Sequence, residues 1–136
     1  MTKDVIARDE GRLLLIKHVR DMEVYKLAFA TAMNIYELTK GFPVEERYSL
    51  VDQIRRSSRS VCSNLAEGWR KRKYKAVFIN KLTDSSQEAS ETQTWLEFSL
   101  SCGYISNEQF SEVYEKYEHI FAMLFNMEKK ADDFCK

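Results

Sequence analysis

The scarcity of glycine and proline limits what this chain can fold into more than any other feature. The 136 residues include four glycines and one proline, so few positions can break a helix or form a tight turn. Gly41 and Pro43 mark one break, because glycine suits the left-handed position after a helix and proline suits the first turn of the next. Gly68 and Gly103 mark two more. The long intervals between these breaks predict long helices.

The breaks divide the chain into four predicted helices, at about residues 21–40, 44–68, 74–103 and 106–133. Ser106 and Gln109 have the spacing of a capping box, which marks the start of the fourth helix. Because the connections are short, consecutive helices must run antiparallel. The predicted fold is an all-α, antiparallel up-down-up-down four-helix bundle over residues 21–134. Residues 1–20 form an N-terminal arm that either extends the first helix or packs on a neighbouring subunit.

The third predicted helix carries a heptad seam made largely of small residues. Alternating steps of four and three residues connect Phe78, Leu82, Ser85, Ala89, Thr92, Leu96 and Ser99. Small side chains on such a seam let neighbouring helices approach closely. Trp95 and Phe98 lie off the seam, and monomers seldom expose broad apolar patches. These two residues therefore favour a homo-oligomer.

Positive charge is concentrated between Gln53 and Lys75. This segment has eight basic residues and one acidic residue, whereas the whole chain balances 21 of each. Cations at the start of the third helix oppose the helix dipole, so local stability does not explain them. A helix start and basic side chains attract anions, and exposed aromatic rings stack on bases. The pattern predicts an RNA- or DNA-binding turn made of Trp69, Arg70, Lys71, Arg72, Lys73, Tyr74 and Lys75, extended by Arg55 and Arg59.

Two alternatives to this interpretation of the turn remain open from the sequence. A run of charge is often only a solvated loop, with no ligand. Trp69 could equally well cap the end of the bundle.

A polar stripe follows one side of the second helix. Spacings of three and four residues put its members on one face, namely Gln53, Arg56, Ser60, Asn64 and Glu67. The functional interpretation is a ligand or nucleic-acid site. The structural interpretation, which we favour, is a hydrogen-bonded network that joins helices or subunits.

The sequence offers no catalytic, metal or cofactor site. Di-iron bundles need Glu-x-x-His on two helices, whereas His119 has Lys116 three residues before it. There is no glycine-rich phosphate loop and no nucleophile elbow. The three cysteines, Cys62, Cys102 and Cys135, form no C-x-x-C pattern and are predicted to be reduced thiols. Cys62 and Cys102 are expected to pack as small apolar residues. We expect a protein that is not an enzyme.

The N-terminal region contains only a four-residue apolar run, Leu13 to Ile16. Such a run is too short for a signal peptide or a membrane span. The sequence therefore predicts a cytoplasmic protein with no membrane partner.

The second helix carries a motif that resembles a known family. The segments FPVEERYSLVDQIRRSSRSVCSNLAEG and EASETQTWLEFSLSCGYIS are similar to the bacterial four-helix-bundle proteins encoded in intervening sequences of 23S ribosomal RNA genes. The resemblance runs from about Asp21 to Met127 and rests on Pro43, Glu46, Leu50, Gln53, Arg56, Ser60, Asn64, Glu67 and Gly68. It implies a bacterial cytoplasmic protein, an all-helical bundle and ring-shaped homopentamers, and it brings no settled activity. The family is also similar to the accessory proteins of diversity-generating retroelements, which work beside a reverse transcriptase and carry positive surface for nucleic acid.

Two functions of different classes follow. The first is a non-catalytic, oligomeric protein that binds RNA or DNA through the positively charged turn between its second and third helices. The second is an assembly scaffold that binds a protein partner, such as a reverse transcriptase, with no direct nucleic-acid role.

Overall fold

The computed structural model describes residues 4–136 and contains four long antiparallel helices. Their bounds are Glu23–Thr39 for α1, Leu50–Arg70 for α2, Lys75–Ser101 for α3 and Asn107–Lys129 for α4. α2 has its largest interface with α3, while α4 contacts both α3 and α1 and so closes the bundle. The predicted all-α four-helix bundle is confirmed.

Small residues bring α2 and α3 close together. All seven positions of the predicted α3 seam are buried. The Ser85 hydroxyl donates to the Val61 carbonyl at 2.9 Å, and the Thr92 hydroxyl donates to Ser57 Oγ at 2.8 Å. A Cβ added at Gly68 would lie 2.9 Å from the Cβ of Lys81, which is closer than real Cβ atoms approach. The two backbones can therefore pack at this distance only because the side chains between them are small.

The N-terminal arm is a β-hairpin, so the prediction that it extends the first helix is wrong. β1 (Val5–Asp9) pairs antiparallel with β2 (Arg12–Ile16). Glu10 and Gly11 form the turn with φ of 50° and 78°, the positive values that a tight two-residue hairpin turn requires. Buried and exposed residues alternate along β1, a period of two that a helix cannot satisfy.

The hairpin is attached to the bundle by a buried carboxylate. Asp9 Oδ2 accepts a hydrogen bond from the backbone N–H of Glu23 at 2.8 Å, at the start of α1. Burial raises the pKa of the Asp9 carboxyl, and the hydrogen bond to Glu23 opposes that shift. On its other side, β1 contacts a short C-terminal helix, α5 (Ala131–Phe134). The hairpin and α5 therefore share one end of the bundle.

Two helix bounds differ from those expected. The second helix starts at Leu50, after a separate 3₁₀ turn at Val44–Glu46. The Glu46 carboxylate accepts from Ser49 Oγ at 2.6 Å and from Tyr104 Oη at 2.9 Å. These hydrogen bonds keep the 3₁₀ turn separate from α2. The fourth helix ends at Lys129 rather than near residue 133, and α5 follows it. The predicted capping box is confirmed, since the Ser106 hydroxyl accepts from the Gln109 N–H at 3.0 Å.

The three cysteines are unpaired with one another and lie in three different environments. Cys62 is buried, and burial raises its pKa to about 11. Cys135 is half-buried. Cys102 is exposed, so the prediction that it packs as an apolar residue is wrong. It follows the last residue of α3 at the turn into α4, where the helix no longer has a packed face.

Candidate nucleic-acid interface

We call residues Arg70–Lys75, which connect α2 to α3, the basic turn. Its backbone is held by short-range hydrogen bonds, including those from the N–H of Lys71 to the Glu67 carbonyl at 3.1 Å and from the N–H of Tyr74 to the Lys71 carbonyl at 2.9 Å. Arg70, Lys71 and Lys73 have exposed side chains. The turn therefore presents three cationic residues to solvent on a defined backbone.

Trp69 does not belong to the surface of the basic turn. It is 2% exposed and packs in the hydrophobic core. A ring in this position cannot stack on a base, so the interpretation of Trp69 as a stacking residue is wrong. The alternative that it closes the end of the bundle fits its burial.

Arg72 is also turned inward, which removes it from the predicted phosphate contacts. It is 6% exposed, its guanidinium lies 3.7 Å from the centre of the Trp69 ring, and its Nη1 donates to the Trp69 carbonyl at 2.8 Å. Burial lowers the pKa of Arg72. A guanidinium can stack on an indole in this way because it is planar and weakly hydrated. Arg72 therefore stabilises the end of α2 from inside the turn.

Tyr74 is the aromatic residue of the basic turn that reaches solvent. It is 58% exposed, and the Lys73 ammonium lies 5.1 Å from the centre of its ring. The turn thus has one exposed aromatic face beside its exposed cations.

Lys75 contacts the C-terminal helix. Its ammonium lies 2.7 Å from a carboxylate oxygen of Asp132 in α5, and this hydrogen-bonded ion pair raises the pKa of Lys75. Both side chains are largely exposed, so the pair adds little stability. It nevertheless places α5 against the start of α3 and partly neutralises Lys75. Of the predicted phosphate-binding residues, Lys75 is therefore less available than Lys71 or Lys73.

Arg55 and Arg59 do not extend the basic turn. The Nε of Arg55 donates to Thr39 Oγ1 at 2.8 Å, and its guanidinium lies 4.7 Å from the centre of the Tyr36 ring in α1. The guanidinium of Arg59 lies 6.0 Å from the same ring. At 1.5 Å per residue, Arg55 is about 22 Å from Arg70 along the helix axis. These two arginines belong to the interface between α1 and α2.

The polar stripe of α2 lies at the surface of the single chain rather than in a buried network. Gln53, Arg56 and Glu67 are exposed, and Ser60 and Asn64 are half-buried. Glu67 pairs with Lys81 of α3 at 2.7 Å, an interaction that lowers the pKa of Glu67. The remaining contacts are within α2, from Arg56 to Asp52 at 3.7 Å and from Asn64 Nδ2 to the Ser60 carbonyl at 2.9 Å. Among these described contacts, the one from Glu67 links the stripe to another helix.

An apolar groove lies between α1 and α2 and was not predicted from the sequence. Tyr25, Phe29 and Met33 line a cavity of about 350 Å³ together with Cys62 and Ala66. Phe29 is 52% exposed and Met33 is 47% exposed. The spacing of four residues between these three α1 side chains places them on one face, and this is the signal that could have revealed the groove.

Within residues 4–136, no group of three His, Cys, Asp or Glu side chains is arranged to hold a metal ion. Over the same residues, no helix is both long and apolar enough to span a bilayer.

The fold and the basic turn define a small helical-bundle protein with a cationic turn at one end. The family model for the 23S rRNA-intervening sequence protein matches residues 20–126, which include all four long helices up to near the end of α4. The chain belongs to this family.

A solved structure gives the same fold. It is a protein with unknown function from the S23 ribosomal protein family of Bacteroides thetaiotaomicron VPI-5482. The two chains are 30% identical with a TM-score of 0.70, and the similarity covers 78% of this chain and 95% of the other. No curated protein matches the chain. The β-hairpin lies before the segment that the family model matches.

Proposed function

We propose that the protein binds RNA or DNA through its basic turn without catalysing a reaction, and that it acts in the bacterial cytoplasm. One observation carries the proposal: exposed Tyr74, at the start of α3, has the exposed Lys73 ammonium beside its ring, and exposed Lys71 lies in the same turn at the end of α2. Lysine and arginine side chains supply the phosphate contacts that dominate affinity for nucleic acids. An exposed ring supplies a face on which an unpaired base can stack.

Local stability explains only part of this charge. Arg70 and Lys71 lie at the end of α2, where the helix dipole favours cations. Lys73 and Lys75 lie at the start of α3, where positive charge is unfavourable by a few tenths of a kcal/mol for each residue. The ion pair of Lys75 with Asp132 is exposed and offsets little of this cost. A ligand with negative charge would offset this cost.

The test replaces Arg70, Lys71 and Lys73 with serine and leaves the buried Arg72 in place. We expect affinity for all RNA sequences to fall alike, because phosphate contacts position a protein without reading bases. The slope of log affinity against log salt should also become shallower, by roughly 0.7 for each single-strand phosphate that the variant no longer binds. Filter binding or fluorescence anisotropy over a range of salt concentrations measures both quantities.

A matched variant removes the same charge elsewhere. Arg56, Arg59 and Lys116 lie outside the basic turn, and replacing all three with serine should leave the affinity and the salt slope close to those of the parent. If the triple variant of the basic turn instead binds RNA and DNA as the parent does, the turn is only a solvated loop.

A second candidate is an oligomeric scaffold that binds a protein partner, with a homopentamer as the assembly implied by the family. The apolar groove between α1 and α2 favours it, because Phe29 and Met33 are large and about half exposed. Burying such side chains against another chain contributes roughly 25 cal/mol for each Å² of apolar surface.

We expect the protein to be larger than one chain of 16.0 kDa at micromolar concentration. Phe29→Glu should shift it toward the monomer, because the substitution puts a charge into an apolar contact. Sedimentation or light scattering measures the mass, with Tyr48→Glu as a matched control at an exposed site outside the groove. A parent protein that is monomeric under these conditions would contradict the scaffold hypothesis.

A further inference from the structure

A second cluster of cations surrounds a cavity at the end of the bundle opposite the basic turn. The cavity has a volume of about 340 Å³ and lies between the end of α1, the 3₁₀ turn and the first turns of α2. Its cationic lining is Lys40, Arg47 and Arg55, and its apolar lining includes Phe42, Val44 and Val51. Among residues 4–136, no acidic side chain lines it.

Arg55 is fixed in place at this cavity. Its Nε donates to Thr39 Oγ1 at 2.8 Å, one Nη donates to the Tyr36 carbonyl at 3.4 Å, and the guanidinium stacks on the Tyr36 ring. A guanidinium held by these contacts loses little further freedom when it binds a ligand. Arg55 is therefore a preorganised donor rather than a mobile surface charge.

Capping of α1 explains only part of this positive charge. The end of a helix carries about half a negative charge, which favours nearby cations. Lys40 also forms an exposed pair with Glu37 at 3.3 Å. In the part of the chain that the structure describes, neither Arg47 nor Arg55 forms an ion pair. The cluster keeps an excess of more than one positive charge.

Glu46 is nearby in sequence, but its carboxylate is already engaged. It accepts from Ser49 Oγ, from the Leu50 N–H at 3.4 Å and from Tyr104 Oη at 2.9 Å. These hydrogen bonds from Ser49 and Tyr104 lower the pKa of Glu46. Glu46 therefore secures the 3₁₀ turn and does not line the cavity.

We propose that the cavity formed by Lys40, Arg47, Arg55, Phe42, Val44 and Val51 binds an organic phosphate monoester. Three cations from separate elements can surround a tetrahedral group with several oxygens, and arginine forms strong charge-assisted hydrogen bonds to phosphate. The volume lies within the range of small-molecule sites and leaves room beside the phosphate. The apolar wall suits a flat or apolar organic group attached to it.

The site is separate from the basic turn and does not depend on the proposed nucleic-acid function. Arg55 and Arg70 are about 22 Å apart along α2. The variant with Arg70, Lys71 and Lys73 replaced by serine should therefore bind the monoester as the parent does, so failure of one proposal leaves the other testable.

Isothermal titration calorimetry at low salt tests the proposal with AMP, phenyl phosphate and inorganic phosphate. We expect saturable binding of at least one of the two monoesters, and roughly tenfold weaker binding in both Arg47→Gln and Arg55→Gln, because each removes a charge-assisted hydrogen bond. Binding of AMP alone would indicate a nucleotide, and binding of both esters would indicate a broader class of ring-bearing phosphates.

Arg56→Gln is the matched control, because Arg56 is the next residue on α2 but is exposed, lies outside the cavity and pairs with Asp52. It should bind the monoester with the parent's affinity. If Arg55→Gln fails to fold because it no longer binds α1, Arg47→Gln still decides, since Arg47 is exposed.

Three results would overturn the proposal. The first is no saturable binding of either monoester at several millimolar. The second is an equal fall in affinity in the Arg47, Arg55 and Arg56 variants, or no fall in the Arg47 variant. The third is inorganic phosphate binding as tightly as the esters, which would remove the assigned role of the apolar wall.

Discussion

Trp69→Ala should lower the free energy of unfolding by about 3–5 kcal/mol, the usual cost of truncating a large buried aromatic residue. Trp69 is 2% exposed, and the Arg72 guanidinium stacks on its ring at 3.7 Å. Alanine would leave a cavity in the core and would remove the ring on which the buried Arg72 stacks. Because domains of this size are stable by only about 5–15 kcal/mol, urea unfolding should show a large drop in the transition midpoint.

Tyr74→Ala is the matched control from the same turn. Tyr74 is 58% exposed, so its truncation should change the free energy of unfolding by no more than about 0.5 kcal/mol. If the nucleic-acid proposal holds, this variant should instead lose about 1–3 kcal/mol of affinity for unpaired RNA and little for duplex. Trp69→Phe, which keeps an apolar ring in the core, should bind RNA like the parent.

The opposite pattern would refute this assignment of roles. It would consist of a Trp69→Ala protein that unfolds at the parent's urea concentration but no longer binds unpaired RNA. Such a result would mean that the indole is accessible in solution.

The helical bundle could be predicted because its signal is periodic. Every seam position of α3, from Phe78 to Ser99, is buried as its spacing requires. One face of α2 is likewise buried throughout, at Leu50, Ile54, Ser57, Val61 and Leu65. A buried face must repeat with the period of the helix, so the sequence records it directly.

The roles of individual aromatic and basic side chains could not be predicted in the same way. Trp69 and Tyr74 are five residues apart, and only the chain reversal at the end of α2 turns one ring into the core and leaves the other in solvent. Arg55 and Arg56 are adjacent, yet one binds the end of α1 and the other points outward. These outcomes depend on which helix lies opposite each side chain, and a single chain segment does not contain that information.

The N-terminal hairpin left a local signal that the helical interpretation of the arm overlooked. Glu10-Gly11 separates two five-residue strands, and glycine suits the φ of 78° that the turn requires. The apolar run at Leu13 to Ile16 obscured the pattern, because alternation is clear in β1 but weak in β2. Leu13 and Leu15 are both exposed, whereas Ile16 is buried. Only one face of this two-stranded sheet packs on the bundle, so apolar residues on its other face stay exposed.

The close contact of α2 and α3 is the part of the fold most sensitive to side-chain volume. Ser85 is fully buried, and its hydroxyl donates to the Val61 carbonyl of the facing helix. Ser85→Leu would add bulk where the backbones already meet and would remove that hydrogen bond. Overpacking of a dense core costs about 1–3 kcal/mol, and we expect the upper end of this range because both effects act at the same position.

The expected loss for Ser85→Leu corresponds to a fall of about 10 °C in melting temperature for a domain of this length. Ser90→Leu makes the same chemical change on α3 at an exposed position, so it should melt within about 2 °C of the parent. Circular dichroism during heating measures both variants. If the two melt alike, then α2 and α3 are free to move apart, and the small residues of the seam are not what sets the distance between them. If only Ser85→Leu is destabilised, the seam requires small side chains for packing, which explains why serine, threonine and alanine occupy core positions that leucine fills in an ordinary bundle.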